Sequence, residues 1–155
     1  MRRKEREITD VSEIETILHE TDYMVLSMMD GDVPYAVPVN FGFADGAIYF
    51  HSSIEGKKIE LLRKNPQVFF TIVRDYTLSR GKKLAQYTSH YCSVAGRGKA
   101  TCIDDNAEKV QALKLMMQDY AEWGDTELPE ALLNKTLCVR IDIESMTGKK
   151  NRPES

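Results

Sequence analysis

An imidazole, two hydroxyls and two lysines fall within eight residues, His51-Ser52-Ser53-Ile54-Glu55-Gly56-Lys57-Lys58. Hydroxyl side chains and lysines at the mouth of a helix are the chemistry of anion capture, because unpaired backbone N–H groups and the positive end of the helix dipole face the ligand there. Lys57 and Lys58 fall where a first turn is predicted. Cations are disfavoured in a first turn unless an anion offsets the dipole, so the pair points to a bound phosphate. Ser52-x-x-Glu55 also has the spacing of a capping box, and a well-capped helix with solvated lysines is the plainer alternative. His51 closes an apolar run and is read as pointing toward the helix start. There it can donate to a ligand oxygen, pass a proton, or simply satisfy a neighbouring carbonyl.

These groups need elements to position them, and the stretch Pro34–Asn65 supplies them in order. Val37, Val39, Phe41 and Phe43 alternate as in a half-buried strand. Asp45-Gly46 between apolar runs is a strong hairpin signal, since its turn needs positive φ. The returning strand is Ala47–His51, followed by a helix that reaches Lys64 and stops at Asn65-Pro66, with Asn65 free to take the left-handed conformation. Upstream, 7–20 reads as an amphipathic helix capped by Asp10 or Ser12, with Ile14, Ile17 and Leu18 on its apolar face and a surface His19 near its end. Tyr23–Met29 is a strand turning at Asp30-Gly31-Asp32.

Downstream, Gln67–Val73 is an apolar strand, and 75–86, with Arg80, Lys82 and Lys83, reads as a solvated loop. Tyr87–Ile103 is a long strand bent or bulged at Gly96-Arg97-Gly98. Asp104-Asp105 caps a helix over 106–122, with Val110, Leu113, Met116, Met117 and Tyr120 at helical spacing as core filler, and Trp123-Gly124 ends it. A loop with one helical turn after Pro129 leads to the alternating strand Thr136–Glu144 and a basic tail, 147–153, expected to be partly mobile. Six strands, mostly joined by hairpins, with helices inserted at three places, predict a mainly β fold: an antiparallel barrel with peripheral helices.

At 155 residues, net charge −3 and 42% hydrophobic, the chain reads as one ordinary globular domain over 1–155, flexible at 1–6 and 150–155. That balance points to neither nucleic acid nor membrane, and no apolar run reaches a membrane-spanning length. The basic N-terminus lacks an apolar segment behind it, so a cytoplasmic location is expected. Cys92, Cys102 and Cys138 are an odd, unclustered set, read as free structural thiols with no metal site. No P-loop, nucleophile elbow, GxGxxG or HExxH occurs.

The segments PYAVPVNFGF, AIYFHSS, EGKK, NPQVFFTI, YCSVAGRGKA and ESMTGKK, in this order and spacing, resemble the FMN-binding split-barrel proteins. The likeness is closest to the branch related to pyridoxamine 5′-phosphate oxidase that includes the nitroimidazole-resistance proteins, and it spans 7–149. It implies a six-stranded, Greek-key-like split barrel that forms a homodimer, with FMN in clefts at the subunit interface. In such proteins the strand matching Val37, Pro38, Val39 and Asn40 passes the flavin ring. Positions matching Phe50, His51, Ser52, Ser53, Lys57 and Lys58 hold the phosphate end. The partner contributes from the strand matching Tyr91 and Ser93, with Lys149 nearby.

The resemblance also implies an oxidoreductase in which His51 assists transfer of electrons from NAD(P)H to a nitro compound, quinone or flavin. The tail Lys149-Lys150-Asn151-Arg152-Pro153 lacks the Arg-Leu-x-Pro ending that binds substrate phosphate in true pyridoxamine-phosphate oxidases, which argues against vitamin B6 oxidation. A non-catalytic FMN-binding or sensing module is the alternative. A haem protein using a histidine such as His90 is a third reading.

Overall fold

The computed structural model describes residues 2–119 and 128–152. Its strands are β1 (Glu7–Ile8), β2 (Tyr23–Asp30), β3 (Val33–Asn40), β4 (Gly42–Ala44), β5 (Ala47–Ser53), β6 (Gln67–Ser79), β7 (Thr88–Ile103) and β8 (Thr136–Asn151). Its helices are α1 (Val11–His19), α2 (Lys57–Lys64), α3 (Asn106–Met116) and α4 (Glu130–Leu133). All strand pairs are antiparallel, in the order β3-β2-β6-β7-β8-β5-β4, with β1 added to β8. β3 and β4 lie at opposite ends of that order yet are joined by the single residue Phe41, so the sheet must curl back on itself. The result is the mainly β, split-barrel architecture.

Eight strands replace the six expected because Glu7–Ile8 pairs with Lys149 and Gly148, and because one predicted strand breaks at Phe41. The break is pinned by the Asp22 carbonyl, which accepts from the Phe41 N–H at 3.3 Å and from Asn40 Nδ2 at 3.2 Å. Pairing of Glu7 and Ile8 also delays the first helix to Val11, where Asp10 caps it by accepting from the Ser12 N–H at 3.0 Å. Ile14, Ile17 and Leu18 are buried as the spacing required. The Asp45-Gly46 turn has φ of 52° and 72°, the two positive values the hairpin needs.

Three expectations are corrected by partners that local pattern does not reveal. The tail through Asn151 is strand rather than mobile, held by pairing of Tyr91 with Asn151 through Ala95 with Thr147 and by Lys150 on Glu13 at 2.7 Å. β6 runs on to Ser79, so the expected loop from 75 begins as strand. Asn65 stays extended, at φ −141°, and its Oδ1 accepts from the Gln67 N–H at 3.0 Å instead of closing the helix in a left-handed cap. The bulge near Gly96–Gly98 is present, but its extra residue lies on β8: Arg97 faces Ser145 while Gly98 faces Ile143. The helix expected to reach 122 ends at Met116, with Met117 as its C-cap, and Tyr120, Trp123 and Gly124 lie outside the described residues.

The main core fills the barrel with Phe41, Phe50, Phe70, Leu26, Ile48 and Ile141, roofed by α1 and α2. A second cluster, Tyr49, Ala112, Met116 and Cys138 among others, seats α3 on β4, β5 and β8. Cys92, Cys102 and Cys138 are free thiols, and burial pushes Cys138 up to about 11, well away from the reactive thiolate. Among the described residues no helix is long and apolar enough to cross a membrane.

Candidate functional site

The alternation of β5 decides where its polar end points. Ile48 and Phe50 turn into the barrel core, and Ser52, two residues on, lies on the same side. Ser52 lines a cleft of about 390 Å³ with Tyr35, Val37 and Pro38 from β3 and Lys57 and Lys58 from α2. β3 ends the strand order, so among the described residues its outer backbone edge has no strand partner, and Pro34 and Pro38 sit where prolines are tolerated. Gly56 opens α2 at φ 123°, and no side chain caps the helix. The Ser52–Glu55 capping box is therefore not formed. Both serines belong to β5, and Ser53 Oγ instead accepts from the Glu55 N–H at 3.4 Å.

The two lysines have different surroundings. Lys57 is paired with Asp30 at 2.6 Å and lies 4.9 Å from the centre of the Tyr35 ring. The Asp30 hydrogen bond raises the Lys57 pKa, and Lys57 in turn holds the Asp30 carboxyl below its usual range. The long-range partner thus neutralises one of the lysines whose placement suggested an anion. Lys58 is different: among the described residues it makes no ion pair, its Nζ sits 5.4 Å from the Phe50 ring centre, and burial lowers its pKa. An uncompensated, half-buried ammonium at an uncapped helix start fits the phosphate of a flavin mononucleotide.

His51 does not point toward the helix start. It shares a face of β5 with Tyr49 and is paired across the ladder with Cys138, so it turns toward α3. It lines two adjoining cavities of about 350 and 210 Å³, walled by Met116 and Met117, with Asn40, Phe41 and Asp22 at one end and Leu113 and Leu132 at the other. Val37, Pro38, Ser52, Lys57 and Lys58 thus come together, while Asn40 and His51 form a neighbouring group at the far end of β3. Val39 and Phe50 are buried in the core, and Ser53 faces a separate depression beside Glu60 and Arg63.

Tyr91, Ser93 and Lys149 form a third group on β7 and β8. Ser93 is paired with Lys149, whose carbonyl accepts from Ser93 Oγ at 3.3 Å, and Lys149 Nζ lies 5.7 Å from the Tyr91 ring centre. Hydrogen bonds from Lys149, and next from Arg6, lower the Tyr91 pKa. Asp30, Tyr35 and the wall role of Met116 and Met117 were invisible to local pattern. Only the turn residues around Asp30 and the β3 alternation hinted at the first two.

The family model for pyridoxamine 5′-phosphate oxidase matches residues 10–150, and the chain belongs to that family. A structure from Bacteroides thetaiotaomicron VPI-5482, named for 5-nitroimidazole antibiotic resistance, is similar at 30% identity, over 93% of this chain and 86% of that one, with a TM-score of 0.81. The flavocytochrome Anf3 from Azotobacter vinelandii shares the fold at 20% identity, over 98% and 72% of the two chains, with a TM-score of 0.85. The FAD and heme binding protein from Mycobacterium smegmatis does so at 15% identity, over 97% and 76%, with a TM-score of 0.84. No curated protein matches the chain.

Proposed function

We propose that this protein is an FMN-binding flavoprotein that passes electrons from NAD(P)H to a small electron-poor substrate such as a nitro compound, a quinone or free flavin. The observation that carries the reading is Lys58, half-buried and without a carboxylate partner among the described residues, at the uncapped start of α2 beside Ser52. Its ammonium and the first-turn N–H groups bind the phosphate. The free edge of β3, from Val37 toward Asn40, leads from that cleft to His51, and its unpaired backbone groups orient the ring. Bound flavin supplies the hydride and single-electron chemistry that no side chain here provides. His51 orients or protonates the acceptor from the methionine-walled cavity. The relative named for nitroimidazole resistance supports an electron-poor acceptor.

A homodimer completes the site in this reading. Tyr91, Ser93 and Lys149 stand apart from the Lys58 cleft and come to it from a second subunit. Pairing registers put Pro38, Val25, Thr71, Val73 and Ser93 on one outer face of the sheet, where Tyr23, Met29 and Phe69 also lie exposed. Exposed apolar surface of this extent marks an interface.

The turn of His51 away from Ser52 favours one rival, a module that binds FMN without catalysis. A haem protein would draw on His90, whose buried Nδ1 has no hydrogen-bond partner among the described residues. The absorption spectrum of purified protein, followed by anaerobic addition of NADH or NADPH, separates the three. Flavin maxima that bleach, and return on addition of a nitroimidazole or quinone, support the oxidoreductase. Maxima that no nicotinamide donor bleaches leave the binding module, and a Soret band selects haem.

A further inference from the structure

His51 stands where two chambers meet, and Met116 and Met117 wall both. The larger, about 350 Å³, has Asp22 and Asn40 at its end. The smaller, about 210 Å³, runs between Leu113 on α3 and Leu132 on α4, with Thr136 beside them. The two ends differ in chemistry. The first presents a carboxylate and an amide, whereas the second is apolar apart from one hydroxyl. That hydroxyl, on Thr136, donates to the Leu132 carbonyl at 2.9 Å and is satisfied within its own wall. Leu132 is 49% exposed, so the leucine chamber opens to solvent at its rim. Among the described residues no lysine or arginine lines either chamber.

We propose that the two chambers form one binding site for a neutral quinone with an alkyl tail, its ring between His51 and the methionines and its tail between Leu113 and Leu132. The inference rests on the electron-transfer reading above and selects one class among the acceptors named there. The Asp22 carboxylate, with no cation on the same walls, disfavours an anionic ligand. A compact nitro ring would occupy only the His51 end and leave the leucine chamber to water, which apolar walls disfavour. A quinone oxygen accepts from an imidazole N–H, which His51 carries whether neutral or protonated. The thioethers of Met116 and Met117 are adaptable walls with favourable sulfur contacts to a flat ring. An alkyl tail on that ring then reaches the one region where the site is apolar on every side chain but His51 and Thr136. In the reaction one quinone takes up one NAD(P)H and one proton, giving the quinol and NAD(P)+.

The experiment is a calorimetric titration of the full chain, FMN-loaded and cofactor-free, with trimethyl-p-benzoquinones whose fourth ring substituent is methyl, propyl, pentyl or heptyl. Full substitution keeps thiols from adding to the ring. Each methylene that enters the chamber should tighten binding about fourfold, and the gain should end once the chamber is filled. Leu132→Lys sets an ammonium against the tail and should flatten the series. Leu132→Trp should end the gain at a shorter tail. Both change a half-exposed side chain, so the fold tolerates them. His51→Ala should weaken every member alike, about two- to tenfold for one hydrogen bond, and leave the slope with tail length in place. A flat wild-type series, or one that neither Leu132 variant changes, overturns the tail site. Flavin that NAD(P)H bleaches and the tetramethyl quinone restores would then leave the electron-transfer reading standing. A rising series in protein whose flavin no nicotinamide donor bleaches supports the site and overturns that reading. Fatty acids of matching tail length that bind as tightly as the quinones reassign the chambers to lipid and overturn the proposal.

Discussion

Asp30 and Phe50 make two adjacent lysines chemically unequal, and the difference is testable one side chain at a time. Among the described residues Lys58 has no competing carboxylate, so Lys58→Ala should cost a charge-assisted contact of about 1.5–3 kcal/mol, at least tenfold in FMN affinity by fluorescence titration. Lys57 is already answered by Asp30, so Lys57→Ala should cost less, and Asp30→Asn should tighten FMN binding by freeing Lys57. Unequal lysines also predict a pH response with a definite sign. Burial places the folded pKa of Lys58 below the usual 10.5. Between those two values the unfolded chain binds the proton that the cofactor-free folded chain has lost, so its stability rises with pH across that window. Phosphate binding needs the ammonium and should weaken as pH rises through the same window. Titrations at stepped alkaline pH check this, and Lys58→Arg should flatten the dependence. Both lysines were legible as first-turn residues from Gly56 onward in sequence. Their inequality was not, because Asp30 reaches Lys57 only through the fold.

At the level of elements, β5 illustrates what period-two patterning can and cannot deliver. The run Ala47–His51 was readable as a strand, and its alternation separates Phe50 from His51. What covers each face depends on α2 and α3, which are distant in sequence, so the direction of His51 was misread. The apparent capping box failed for a related reason: β8 pairs with Ser52 and Ser53 and keeps them in the strand. Seating of α3 against β4 supports the His51 cavity, and it depends on Gly42. A Cβ there would lie 2.1 Å from the Met116 carbonyl oxygen, with backbone on both sides of the contact. Gly42→Ala should therefore destabilise the fold by about 1–3 kcal/mol, a fall in Tm of roughly 2–4 °C per kcal/mol by calorimetry. It should also disturb the His51 cavity while leaving the Lys58 cleft in place, visible as FMN affinity retained at reduced turnover.

For the whole molecule, hairpin signals and apolar alternation were enough to foresee an antiparallel barrel, because the pairs β2–β3, β4–β5 and β6–β7 each join strands adjacent in sequence. Closure was not foreseeable in the same way. It depends on Phe41 linking the two ends of the strand order and on the tail joining β7 out to Asn151, where small and polar residues carry no apolar period. The division of candidate residues into three groups likewise exists only in the folded molecule. The central claim of the proposed reading is that one cleft, at the start of α2, holds the phosphate of a flavin. Comparing FMN with riboflavin in titrations of the cofactor-free protein, in wild type and Lys58→Ala, tests that claim most directly. Wild type should bind FMN at least tenfold more tightly than riboflavin, the worth of one charge-assisted contact, and the variant should lose most of that preference. Equal affinity of the wild type for the two flavins, or binding of neither, would contradict the account.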